Sequence, residues 1–219
     1  EVALQYGFEA TERVVNFVLK PDFKQVSMEA KAGVPTAGGR FQSNVEPTLI
    51  AISPNGRVNL NAGWDHKGLL TEDERDVIPT SGNPDESYAR SLLSSSDTYS
   101  LNGTFVRNLD RVTDATLSAR FDHTDSLGLL GLSNDGLGNV RRREARTQNF
   151  TTSGALNGMV GSWRWSATGN FSISDTLTFT DRDNGVRDRV DSNQKTFGAL
   201  ANMSGAITEG WAGPIRATV

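Results

Sequence analysis

The stretch WRWSATGNFSISDTLTF, residues 163–179, decides the fold. Its odd positions are Trp163, Trp165, Ala167, Gly169, Phe171, Ile173, Leu177 and Phe179, broken only by Asp175. Its even positions run Arg164, Ser166, Thr168, Asn170, Ser172, Ser174, Thr176, Thr178. Period two puts one class of side chain on each face of a β-strand. The stretch is much longer than the usual strand of about 5–6 residues. A fold that needs such strands, with one apolar and one polar face, is therefore required.

The same alternation recurs along the chain. Val26, Met28, Ala30, Ala32 and Val34 share one parity, as do Val58, Leu60, Ala62 and Trp64, and then Tyr99, Leu101, Gly103 and Phe105. Ala115, Leu117, Ala119 and Phe121 follow, then Phe150, Gly154 and Leu156, and after the opening stretch Phe197, Ala199, Ala201 and Met203. Phe41, Val45 and Leu49 mark a less regular strand. About nine strands are expected. Short helical turns are expected only within Glu72–Val77 and Asp85–Leu93. Short connections rich in Gly, Pro, Asn and Asp (53–57, 108–114, 157–162, 208–214) alternate with long ones at 65–97, 124–147 and 181–194, the first connection, VPTAGGR (34–40), being a short exception. An up-and-down meander with one short-turn rim and one long-loop rim is predicted.

Composition narrows the function. The 219 residues carry a net charge of -4, which gives no reason to expect nucleic-acid binding. Cysteine is absent and only His66 and His123 are present, so a thiolate metal site and a Ser/His/Asp triad are both disfavoured. No carboxylate pair, nucleophile–base pair or phosphate-cradling Gly loop stands out. DRDNGVRD (181–188) lacks the ligand spacing of a calcium loop and reads instead as a hairpin turn at Asn184-Gly185. No enzyme, cofactor or metal is expected. No apolar run is long enough for a transmembrane helix, but transmembrane barrel strands are only half apolar and escape that test.

Alternation alone suits two environments. A soluble antiparallel sandwich buries its apolar face against a second sheet; a barrel turns it to lipid. Strand length, the many Gly and Ala on the apolar parity, and the placing of Trp163, Trp165 and Trp211 beside short turns favour the barrel, with those tryptophans at a lipid interface. The fold expected is all-β: a long-stranded antiparallel meander forming part of a transmembrane β-barrel. The chain opens without Met and stops inside an alternating stretch, and so reads as a fragment.

The N-terminal run EVALQYGFEATERVVNFVLKPDF (1–23) resembles the end of the plug domain of TonB-dependent outer-membrane receptors of Gram-negative bacteria. In that family an acidic residue and Val precede a Tyr-Gly pair, and a V-I-N-I-V-T-K-type strand follows. Glu1, Val2, Tyr6, Gly7, Val14, Val15, Asn16, Phe17, Val18, Leu19 and Lys20 fall into that order. Thr11, Glu12 and Arg13 depart from the usual small residues, and Leu19 from the frequent Thr. The resemblance implies residues 1–20 as the C-terminal end of a plug and 21–219 as the first part of a barrel of about 22 strands with a plugged lumen. It implies a receptor in the bacterial outer membrane that binds a scarce nutrient at the cell surface and imports it with energy delivered by TonB, through a segment upstream of Glu1. Outer-membrane lipid and lipopolysaccharide would be its surroundings. A soluble or secreted β-rich adhesin or carbohydrate-binding module is the alternative function.

In such a receptor Arg57, Asp65, Arg120, Asp122 and Arg164, on the polar parity, are candidates to face the lumen and the plug. Arg141, Arg142, Arg143 and Arg146 of RRREAR are expected in an extracellular loop, as candidates for an anionic ligand or lipopolysaccharide phosphates. Both sets also fit ordinary solvated side chains.

Overall fold

The computed structural model describes residues 22–77, 85–134, 138–183, 185–210 and 213–218. The plug-like residues 1–20 and Trp211 lie outside them. The elements are β1 (Phe23–Gly33), β2 (Gln42–Ser53), β3 (Gly56–Lys67), β4 (Leu70–Thr71), β5 (Ser91–Leu93), β6 (Ser95–Asn108), β7 (Asp114–Leu132), β8 (Val140–Val160), β9 (Trp163–Asp181), β10 (Arg187–Gly210) and β11 (Gly213–Thr218). Two 3-10 turns, Glu72–Glu74 and Ser87–Ala89, fall within the two segments where helical turns are expected.

Nine strands form one antiparallel sheet in the order β1-β2-β3-β6-β7-β8-β9-β10-β11. Apart from the small β4–β5 pair in the connection between β3 and β6, every neighbour in space is a neighbour in sequence. The chain is therefore an all-β, long-stranded antiparallel meander. Tight turns close one end. Gly161 supplies the left-handed conformation (φ 61°) that the β8–β9 turn needs and that residues with a Cβ rarely adopt. In the β6–β7 turn Asp110 Oδ1 accepts a hydrogen bond from the Val112 amide (2.8 Å).

The strands run further than hydropathy predicts. β7, β8 and β10 reach 19, 21 and 24 residues. The connections expected at 124–147 and 181–194 shrink to 133–139 and 182–186. The RRREAR arginines accordingly stand on β8 and not in a loop. The physical reason is that the apolar face admits polar residues beyond a fixed point on each strand (His123 on β7, Gln148 on β8, Asp175 on β9), with only scattered apolar ones such as Leu127, Leu177 and Phe179 beyond it. Alternation disappears there while the backbone ladder continues.

The sheet has no conventional core. Among the described residues the buried apolar side chains are Leu70 and Ala89, both in the connection 68–94. Strand residues of the apolar parity stay open: Val26, Met28 and Phe197 keep 75%, 72% and 76% of their surface. Leaving a large aliphatic or aromatic side chain in water forgoes about 1.5–3 kcal/mol relative to burying it. A face of this extent therefore calls for an apolar medium or partner against it.

Candidate functional site

Strand register places every alternating position on one of two faces. On the apolar face the upper limit of the apolar residues moves steadily across the sheet. It lies at Phe197 on β10, paired with Phe171. It stands one two-residue step higher at Ile173, Phe150 and Phe121, which are mutual partners on β9, β8 and β7. A second step up come Tyr99, Trp64 and Val45 on β6, β3 and β2, and a third reaches Ala32 on β1, opposite Ser43.

The lower limit climbs in the same direction. It starts from the Trp163–Val160 pair, rises two steps to Ala115, and another step to Phe105, Val58 and Ala51. A fourth step brings it to Val26 on β1, opposite Leu49. The apolar residues thus form a slanted band with two nearly parallel edges. Strands lie about 4.8 Å apart and each residue advances about 3.4 Å, so the slant is roughly 30–40°. On β9 the band spans Trp163 to Ile173, about 34 Å along the strand and roughly 28 Å along its own normal.

Small residues let the aromatic rings at the lower edge lie flat on the sheet. A Cβ on Gly158 would fall 2.6 Å from the Trp165 ring, and one on Gly205 would collide with the Trp163 ring. This explains Gly opposite Trp on the apolar face, a pairing that would waste volume in a close-packed core.

The residues just above the band are polar on most strands: Ser43, His66, Asp97, His123, Gln148, Asp175 and Lys195. Several are joined. His66 Nδ1 lies 2.8 Å from Asp97 Oδ1, and His123 Nε2 3.0 Å from Asp125 Oδ2. Arg146 Nε donates to Asp125 Oδ1 at 2.9 Å, and the Asn193 amide donates to Asp175. Chiefly through the hydrogen bond from Arg146, the Asp125 carboxyl is held below the usual carboxylate range. Further up, the Arg187 guanidinium pairs with Glu144 and stacks 4.8 Å above the Phe179 ring.

The opposite face is mostly polar, with Ile50, Ile52, Val106 and Leu200 among the exceptions, and is hydrogen-bonded across strands. Thr98, Thr124, Thr147 and Thr176 form one cross-strand row, linked Thr98–Thr124 at 3.1 Å and Thr147–Thr176 at 3.4 Å. Asn102 donates to Asn61 (3.0 Å), and Asn61 donates to Glu46 (2.8 Å) and Thr48 (2.9 Å).

All five lumen candidates stand on this polar face. Arg120 binds Asp122 through two hydrogen bonds (2.6 and 3.0 Å), and Asp65 pairs with Lys67 (2.7 Å). Arg57 and Arg164 stand apart from that group near the short-turn end. The RRREAR arginines are divided by strand parity: Arg141 and Arg143 share the polar face, Arg142 and Arg146 the apolar one. They do not form one anion-binding cluster. Arg141 donates to the Leu130 carbonyl (3.0 Å) and pairs with Asp183 (3.1 Å), while Arg146 is held by Asp125.

No protein-family model matches the chain, and no curated protein matches it. The geometry therefore carries the functional reading.

The described parts of the connection between β3 and β6, residues 68–77 and 85–94, fold over the polar face at the long-loop end. Ser94 Oγ and Ser91 Oγ lie on the side of Gly128 where a Cβ would project. Ser91 Oγ also accepts from the Leu129 amide (2.9 Å), and Glu86 accepts from the Leu132 amide (3.2 Å). Arg75 ties the same connection to the 34–41 segment by donating to the Gly38 carbonyl (3.0 Å). His66, Asp97, His123 and Asp125 were not singled out in the sequence as site residues; the signal for them is the point on each strand where alternation breaks.

Among the described residues no group of His, Cys, Asp and Glu is arranged to hold a metal ion. No helix of the described residues is long and apolar enough to cross a membrane, which says nothing about strands.

Proposed function

We propose that this chain is part of the wall of a transmembrane β-barrel belonging to a TonB-dependent outer-membrane receptor, which binds a scarce nutrient at the cell surface and imports it. The slanted apolar band is the observation that carries the reading. Barrel strands tilt about 35–45° from the barrel axis and present an apolar belt about 25 Å tall. A belt of fixed height crossing tilted strands must appear slanted in the strand frame, with both edges climbing together. A two-sheet soluble module has no need of such a slant. It also needs a second layer on the apolar face, and among the described residues none packs there.

The polar face then lines the lumen, where its Ser, Thr and Asn rows meet water and the plug. The short turns face the periplasm and the connection 68–94 overhangs the outer mouth. The plug-like residues 1–20 supply the link to this receptor class and to TonB, and a barrel of about 22 strands is the size that class implies. Neither face offers a constellation for covalent chemistry, so binding and gated passage is the activity proposed.

The decisive experiment is expression of the full-length protein with fractionation of the envelope. Partition into the outer membrane, together with a folded band that migrates differently when unheated, is the expected result. A soluble protein with heat-independent migration overturns the reading. A binding screen with the intact receptor identifies the ligand.

A further inference from the structure

The lower edge of the band carries a feature that the upper edge lacks. On β1 the first apolar-face residue below the band is Lys24, partnered with Ala51; on β6 it is Arg107, partnered with Gly56. Between them, on β2 and β3, the corresponding positions are the small Ser53 and Gly56. The result is a cleft of about 340 Å³ floored by Ala51, Val58 and Phe105 and walled by Lys24 and Arg107. No carboxylate lines it. Three other clefts, of about 450, 510 and 490 Å³, each contain two or three carboxylates beside their cations. Among the described residues neither Lys24 nor Arg107 makes an ion pair, and both are exposed.

Position and charge together define the occupant. Lys24 and Arg107 stand one step outside the apolar band, at the depth where a lipid phosphate sits. Ala51, Val58 and Phe105 continue upward into the band along which acyl chains run. Long basic side chains cover apolar surface with their stems and present charge at the interface. Anionic headgroups attract them there.

We propose that this cleft binds the headgroup of an anionic phospholipid in the periplasmic leaflet, with the phosphate between Lys24 and Arg107. The inference rests on the membrane reading above. Phosphatidylglycerol satisfies it; a zwitterionic lipid brings its own cation and competes with the two side chains.

The test uses the full-length protein, refolded with vesicles of phosphatidylcholine alone or of phosphatidylcholine with phosphatidylglycerol. Flotation reports insertion, and native mass spectrometry after gentle detergent extraction reports retained lipid. Wild type should float with both vesicles and retain phosphatidylglycerol preferentially. K24Q/R107Q should still float but lose roughly tenfold of that preference. K24R/R107K should keep it. Flotation with no preference, or a preference unchanged in K24Q/R107Q, overturns the lipid site and leaves the barrel standing. Failure to float with either vesicle overturns the barrel and the site with it.

Discussion

Asp97 on β6 and Asp125 on β7 are direct cross-strand partners, two carboxylates facing one another two residues above Tyr99 and His123. Like charges so placed repel. The sheet offsets this from both sides, with His66 against Asp97 and with His123 and Arg146 against Asp125. The row sits just above the apolar band.

Removing a member has a defined pH signature. The folded-state pKa of Asp125 is depressed, first by its hydrogen bond from Arg146. A depressed carboxyl adds stability above its unfolded value, about 3.9, and that contribution is lost as pH falls through the lower folded value. D125N should therefore melt below wild type at pH 5, and the gap should close as the pH falls below about 4. Melting followed by the heat-dependent gel shift reads this. A gap that does not narrow as the pH falls below about 4 contradicts the assignment.

Ala167 and Thr168 are adjacent on β9 but face opposite ways. Ala167 stands between Leu156 and Ala201 in the middle of the band; Thr168 stands between Ala155 and Leu200 on the polar face. A167R should cost about 2–4 kcal/mol of folding free energy in lipid, the cost of a cation near the bilayer midplane. T168R should cost little, because in the proposed barrel its charge would enter the lumen. Urea titration of folding into vesicles compares the two, and equal costs would mean that the faces are misassigned.

The middle of each strand was legible in the sequence because water and an apolar medium demand opposite side chains on its two faces. Trp163 to Ile173 shows this most clearly. The upper halves were not legible. Val140 to Gln148 reads as a charged loop, yet β8 runs through it, paired to β7 and β9 by backbone hydrogen bonds that leave no mark in hydropathy. The same gap hid the division of Arg141, Arg142, Arg143 and Arg146 between the faces. The slant of the band was also invisible, since it exists only once register aligns the strands.

Trp163 and Trp165 lie at the lower edge of the band, their rings over Gly205 and Gly158. In lipid they should meet the interface. With every other tryptophan of the full-length protein changed to Phe, Trp64 and Trp211 among them, the fluorescence of Trp163 and Trp165 should be quenched strongly by phospholipids brominated near the headgroup. Aqueous acrylamide should quench it weakly. The reverse order would place these rings in water.

The connection 68–94 offers a cross-link that reports its position. A Cβ on Gly128 would lie 3.8 Å from the Cβ of Ser94, within the range of about 3.5–4.5 Å that a disulfide spans. These 219 residues contain no cysteine, so S94C/G128C introduces a single possible pair among them, and any cysteine elsewhere in the full-length protein is changed to serine. In an oxidising compartment the two thiols should join without added catalyst. Closing a loop of this length should add about 4 kcal/mol by restricting the unfolded chain. Maleimide–polyethylene glycol labelling of the denatured protein should then shift neither cysteine unless reductant is added first. Two free thiols in the folded, membrane-inserted protein would place the connection away from the polar face, and the mouth would lack the overhang that Ser91, Glu86 and Arg75 hold there.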